Sequence, residues 1–119
     1  MDLSEGRAAD ALAALADPTR RGLVELLAER PRPVGELVAA FPVSQPAISR
    51  HLRILRQHGV VEEHRPPGDR RVRLYRLRPE PFDALAGWVD EVRRFWTGHL
   101  EQFRSFVEEE ATRRARKEP

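Results

Sequence analysis

No cysteine occurs among the 119 residues, which excludes disulfides, thiolate metal sites and a cysteine nucleophile together. The longest apolar run, Ala11 to Ala16, falls far short of the roughly 20 residues that a membrane-spanning helix needs. Nor does the chain open like a secretory signal, because Met1-Asp2-Leu3-Ser4-Glu5 is acidic where such a segment is basic and then apolar. These absences set the expectation of a cytoplasmic protein with no membrane partner. The glycines are scattered, so no phosphate-cradling loop is present. Ser49 and His51 stand two apart on a helix, where side chains do not face each other, and cannot act as nucleophile and base. Neither catalysis nor a cofactor is expected.

Lysine is also nearly missing. Of the 21 basic residues only Lys117 is lysine, and the other 20 are arginine, the side chain suited to bidentate contacts with phosphate and guanine. Their distribution is uneven. Residues 44–78 hold nine arginines against three acids, whereas the flanks 1–43 and 79–119 each carry a net charge of −2. A basic middle between mildly acidic ends points to a polyanion as the partner of the middle.

The hydrophobic pattern places helices over Ala8–Ala16 and from Asp17-Pro18 to about Arg30. In the second of these, Asp17 is the N-cap and Pro18 takes the first helical position, where a missing N–H costs nothing. Pro31 and Pro33 end it. Val34, Leu37, Val38 and Phe41 follow at helical spacing and mark a short third helix. After a tight turn at Pro42-Val43, Ser44 caps a fourth helix that closes at His58-Gly59. Its apolar positions Ile48, Leu52 and Leu55 share one face, with Arg50 and Arg53 roughly opposite. Val60–Arg65 and Arg71–Leu77 read as strands around a turn-rich tip, Pro66-Pro67-Gly68-Asp69. The alternation slips between Leu74 and Tyr75, which leaves the register of the second strand open. A long helix from about Glu80 to Glu110 carries an apolar seam of Leu85, Val89, Val92, Trp96, Leu100, Phe103 and Val107. A second stripe is formed by Trp88, Phe95 and Phe106.

The expected fold class is therefore mainly α with a small β-hairpin wing, in the order α-α-α-α-β-β-α. This is a winged helix-turn-helix with a long C-terminal dimerisation helix. Residues 1–110 form one domain, and 111–119 a charged, flexible tail. In such a domain the second helix of the helix-turn-helix enters the major groove with its N-terminal residues on base edges. Gln45 suits adenine, Arg50 or Arg53 suits guanine, and Ser49 suits either base type. The hairpin offers Arg65, Arg70, Arg71 and Arg73 to phosphates or to a narrow minor groove. Double-stranded DNA is the expected partner. The alternative is a protein-interaction module whose arginines face an acidic protein. Thr19 and Arg20, at a helix N-terminus, serve equally well as an anion site or as a brace for the helix.

Three stretches carry a resemblance. These are Ala16-Asp17-Pro18-Thr19-Arg20-Arg21; Val43-Ser44-Gln45-Pro46-Ala47-Ile48-Ser49-Arg50-His51-Leu52-Arg53-Ile54-Leu55; and Gly59-Val60-Val61. Together they resemble the ArsR/SmtB family of dimeric transcriptional repressors, over roughly residues 8 to 110. The resemblance implies repression of a promoter, often the protein's own. It also implies recognition-helix contacts from Ser44, Gln45, Ser49, Arg50 and His51; Pro46, in the first turn of the same helix, is counted with the expected DNA-binding residues. Metal sensing does not carry over. Where thiol-based sensors of the family have Cys-x-Cys, this chain has Val34-Gly35-Glu36, and the only histidine of the last helix is His99. No metal site is expected, and the inducing signal is undefined. A winged domain cannot cover both apolar stripes of its last helix, so a two-fold homodimer is expected. Its interface would be drawn from Leu12, Leu15, Leu85, Val89, Val92, Trp96, Leu100 and Phe103.

Overall fold

The structure is a computed structural model, and it describes residues 6–69 and 71–117. Within it the chain divides into two compact units, one up to Ala86 and the other from Gly87 onward.

The first unit begins with α1 (Arg7–Ala16) and α2 (Pro18–Glu29), which are separated by Asp17 alone. Asp17 is extended, and its Oδ2 accepts the Arg20 backbone N–H at 3.0 Å. This satisfies one of the donors that the first helical turn leaves without a partner. At the other end of α2 the Leu26 carbonyl accepts from Arg32 Nε at 3.1 Å. The same guanidinium, 14% exposed, is flanked by Glu29 and Glu36. Arg32 and Pro33 form a short strand, β1, which leads into α3 (Val34–Ala39). The recognition-helix candidate is α4 (Gln45–Gln57). Its start is capped by Ser44 Oγ accepting the Ala47 N–H at 3.3 Å, and Gly59, at φ +66°, turns the chain out of its end.

Strands β2 (Val61–His64) and β3 (Leu74–Leu77) complete an antiparallel sheet of order β1-β3-β2. The wing is thus the expected hairpin with a third strand added to it. Val61 pairs with Leu77, Glu62 with Arg76, Glu63 with Tyr75 and His64 with Leu74. β1 adds Arg32 opposite Tyr75 and Pro33 opposite Leu74. The ladder is shorter than Val60–Arg65 and Arg71–Leu77, because Pro66 and Pro67 have no N–H to donate just beyond His64. The register also accounts for the slip in alternation. Tyr75 and Leu77 pack on the core, while Leu74 lies on the other face of the sheet.

The core joins all these elements. Leu23, Leu37, Ile48, Leu55 and Val60 are fully buried, with Ala14, Val24, Leu27, Leu52 and Val61 around them. α2 passes so close to the end of α3 that a Cβ on Gly22 would stand 2.6 Å from the Phe41 ring.

The last helix, α5, runs from Glu80 to Lys117, about 57 Å at 1.5 Å per residue. It does not stop near Glu110. Residues 111–117, read from the sequence as a flexible tail, are helical. Local pairs support this segment: Arg113 Nη1 donates to Glu110 at 2.8 Å, and Thr112 Oγ1 donates to the Glu108 carbonyl at 3.0 Å. Arg114, Arg116 and Lys117 also stand at the negative end of the helix dipole. Among residues 87–117 no side chain is buried, and Trp96, Leu100, Phe103 and Phe106 are each about 60% exposed or more.

Candidate nucleic-acid interface

Helix α4 has two unlike faces. Ile48, Leu52 and Leu55 are buried and hold it in the domain, while Gln45, Pro46, Ser49, Arg50 and Arg53 are exposed on the opposite side. Arg56 extends the basic face by a further turn, a residue that the sequence reading passed over although it follows Arg53 at helical spacing. Ser44 is exposed as well. Its oxygen accepts the Ala47 N–H, which leaves the hydroxyl proton and one lone pair to offer. A polar, arginine-bearing outer face on a helix locked from beneath is what entry into a major groove requires.

His51 stands at the margin of that face. Its ring is 20% exposed, and Nδ1 lies 3.8 Å from Oδ2 of Asp17. The N-cap carboxylate of α2 thus lies beside the recognition helix. The Arg20 backbone N–H that it accepts holds the Asp17 carboxyl below its usual 3.8, against the opposing effect of burial. The neighbouring His51 and Arg20 add to the lowering. Arg20 itself braces α1, with Nη2 donating to the Ala13 carbonyl at 3.1 Å. Of the two readings of that residue, the brace is the one seen.

The wing sorts the remaining arginines into two groups. At its base Arg76 pairs with Glu62, and Arg78 lies within 3.9 Å of Glu62 and 3.8 Å of Glu80. Glu63, on β2, stands 3.6 Å from both Arg56 of α4 and Arg73 ahead of β3. By contrast Arg50, Arg53, Arg65 and Arg71 are exposed and have no carboxylate at ion-pair distance among the described residues. Near the tip Gly68 takes φ +94°, and Asp69 Oδ1 accepts the Arg71 backbone N–H at 3.0 Å, leaving the Arg71 side chain free to project. Arg70 lies outside the described residues. Within residues 44–78 the positive charge without internal neutralisation therefore lies on the outer face of α4 and in the wing loop. Glu62 and Glu63 could have been read as the neutralising residues only with the hairpin register in hand.

Of the residues expected at a dimer contact, Leu12, Val89, Trp96, Leu100 and Phe103 are exposed, and Leu15, Leu85 and Val92 are half-buried. Among the described residues no group of three or more His, Cys, Asp or Glu side chains could hold a metal ion. No helix of the described residues is long and apolar enough to cross a membrane.

Comparison with known proteins agrees with this geometry. Residues 17–63 match the family described as bacterial regulatory protein, arsR family. The chain is 45% identical over 97 residues to the HTH-type transcriptional regulator Rv2034 of Mycobacterium tuberculosis, covering 82% of this chain and 85% of that protein. The crystal structure of the ArsR family transcriptional regulator RHA00566 superposes with a TM-score of 0.67 at 32% identity, over 77% of this chain and 98% of the other. A homodimeric winged helix-turn-helix DNA-binding domain from Mycobacterium bovis, Mb0332, described as a possible ArsR-family regulator, gives a TM-score of 0.52 at 26% identity. That match covers 81% of this chain and 83% of the other. The chain belongs to the arsR family, and is a DNA-binding transcriptional regulator of the winged helix-turn-helix type rather than an enzyme.

Proposed function

We propose that the protein is a homodimeric repressor that occupies an inverted-repeat operator, its own promoter among the candidates. The observation that carries this reading is the outer face of α4, where Arg50 and Arg53 are exposed without a carboxylate partner above buried Ile48, Leu52 and Leu55. Gln45, Ser49, Arg50 and Arg53 read base edges from the major groove, with Ser44 and Pro46 at the helix start and His51 at the margin. Arg65, Arg71 and Arg73, with Arg70, act on phosphates and set the orientation of the domain rather than its sequence preference.

A second copy supplies the second recognition helix. The apolar residues exposed along α5, Val89, Trp96, Leu100 and Phe103 foremost, are the surface that such a copy covers, with Val92 and Leu85 beside them and Leu12 and Leu15 contributing from α1. The homodimeric state of the Mycobacterium bovis neighbour supports that arrangement. Two recognition helices related by a two-fold axis read half-sites one helical turn apart, about 34 Å, or a multiple of it. Repression then follows from occupancy of the promoter. Footprinting of the full chain on the DNA upstream of its own gene tests the reading. Protection of an inverted repeat is expected, and equal affinity for the upstream and random duplexes at moderate salt would overturn it.

A further inference from the structure

Glu63 occupies an unusual place for a carboxylate. On β2 it lies on the same face of the sheet as buried Val61, and opposite Tyr75, which packs on the core. Its side chain is 20% exposed, and Oε1 is shielded from solvent without accepting a hydrogen bond among the described residues. Packing alone would favour an apolar side chain there, because a shielded charge costs free energy unless it is paired. What the carboxylate meets is Arg56 Nη1, 3.6 Å from Oε2, and Arg73 Nε, 3.6 Å from Oε1. Glu62, its neighbour on β2, is the contrast: it sits on the other face and accepts a hydrogen bond from Arg76 across the strand pair.

Each of the two arginines adjoins a free one. Arg56 follows Arg53 on the outer face of α4, and Arg73 follows Arg71 in the wing loop. Glu63 therefore takes one cation from the recognition helix and one from the wing.

We propose that Glu63 is a specificity-determining residue: it holds Arg56 and Arg73 back from DNA and so weakens sequence-independent binding. The inference rests on the DNA-binding reading of α4 and the wing, and adds a residue that acts through its neighbours. At 3.6 Å neither contact is a hydrogen bond, so a phosphate that offers charge-assisted hydrogen bonds displaces the carboxylate. The cost is a carboxylate left shielded and unpaired. That cost bears most on random DNA. There binding is almost wholly a matter of phosphates and the domain samples many poses, so a freed arginine finds a phosphate in nearly all of them. On the operator, base contacts hold α4 in one pose, and a freed arginine gains only where a phosphate lies within its reach. Restraint of the two arginines thus widens the gap between operator and random sequence, the quantity that decides occupancy in a genome.

The test compares the full chain with Glu63→Gln, Arg56→Ala/Arg73→Ala and the triple variant, by fluorescence anisotropy of a labelled random duplex over about 50 to 200 mM salt. A partly exposed ion pair is worth about a factor of two. Glu63→Gln is therefore expected to tighten random-duplex binding about fourfold per bound subunit. It should also steepen the fall of log affinity with log salt by about 0.9 for each arginine that gains a phosphate. The gain should vanish when Arg56 and Arg73 are already alanine. An equal gain in that background would overturn the proposal, because the lost charge would then act on DNA directly. Unchanged or weaker binding by Glu63→Gln at a native urea midpoint would overturn it too, leaving Glu63 as a brace of the wing. Should glutamine lower the midpoint, Glu63→Met, suited to the inward face, carries the same expectations. On an upstream duplex that the full chain protects, the gain should be smaller than on random DNA, and an equal gain would overturn the role in selectivity. The random-duplex arms need no operator, so they succeed or fail independently of the inverted-repeat reading.

Discussion

The separation of the wing arginines into neutralised and free ones can be measured through salt. Arg65 and Arg71 project without a carboxylate partner among the described residues, whereas Arg76 and Arg78 at the wing base share Glu62. If each free arginine neutralises one phosphate, Arg65→Ala/Arg71→Ala removes four phosphate contacts from a dimer on its operator. Each lost contact lowers the slope of log affinity against log salt by about 0.9, so the slope falls by about 3.6. Over the rise from 50 to 200 mM salt the wild-type protein should then lose about two decades more affinity than the variant. Arg76→Ala/Arg78→Ala removes the same formal charge from groups already paired, and should leave the slope nearly unchanged. The assay is fluorescence anisotropy of a labelled operator across that range, repeated on a scrambled duplex, where the wing variant should lose as much affinity as on the operator. Equal slopes for the two double variants would refute the division and show that net charge alone governs binding.

Three further outcomes are expected. Arg50→Ala should cost about 1–3 kcal/mol per half-site and relax preference at one base position, as read from a panel of single-base operator variants. Asp17→Ala should lower stability by about 1 kcal/mol through loss of the α2 cap, measured by urea unfolding. Because the folded-state pKa of Asp17 is lowered, its charge-dependent stabilisation is complete above its ordinary pKa of 3.8 and disappears as pH falls through the folded value. The gap between wild type and variant should therefore narrow in strong acid, and a constant gap would contradict the cap's ionic character. Zinc, cadmium or arsenite at stoichiometric levels should leave operator affinity unchanged in a band-shift titration, since the chain has no thiol and no ligand cluster among the described residues.

The parts of the fold governed by short-range chemistry are legible in the sequence. Asp17-Pro18 and Ser44 start helices where such residues do, and the stripe of Ile48, Leu52 and Leu55 identifies the buried face of α4 and so its exposed one. What depends on contacts distant in sequence is not legible. Strand β1 is only Arg32 and Pro33, and nothing local marks a proline as a strand residue; it exists because β3 runs alongside. The partners of Arg76 and Arg73 require the hairpin register, and the approach of His51 to Asp17 requires the packing of α4 on α2. The helical end of α5 is hidden in the sequence for a different reason. A charged composition suggests a frayed tail, but spacing of opposite charges by three and four residues supports a helix regardless of hydrophobicity.

Helix α1 is fastened at two points to elements on either side of it. Asp10 Oδ1 lies 2.8 Å from Nδ1 of His58 at the end of α4, and the Ala13 carbonyl accepts from Arg20 near the start of α2. Ala11, between these fastenings, and Ala14, next after them, are wholly buried, and their small size lets the backbones come close. Through Asp10 and His58 α1 is linked to the end of α4, so shortening the chain before Asp10 would keep both fastenings, whereas shortening it beyond Ala13 would remove them together.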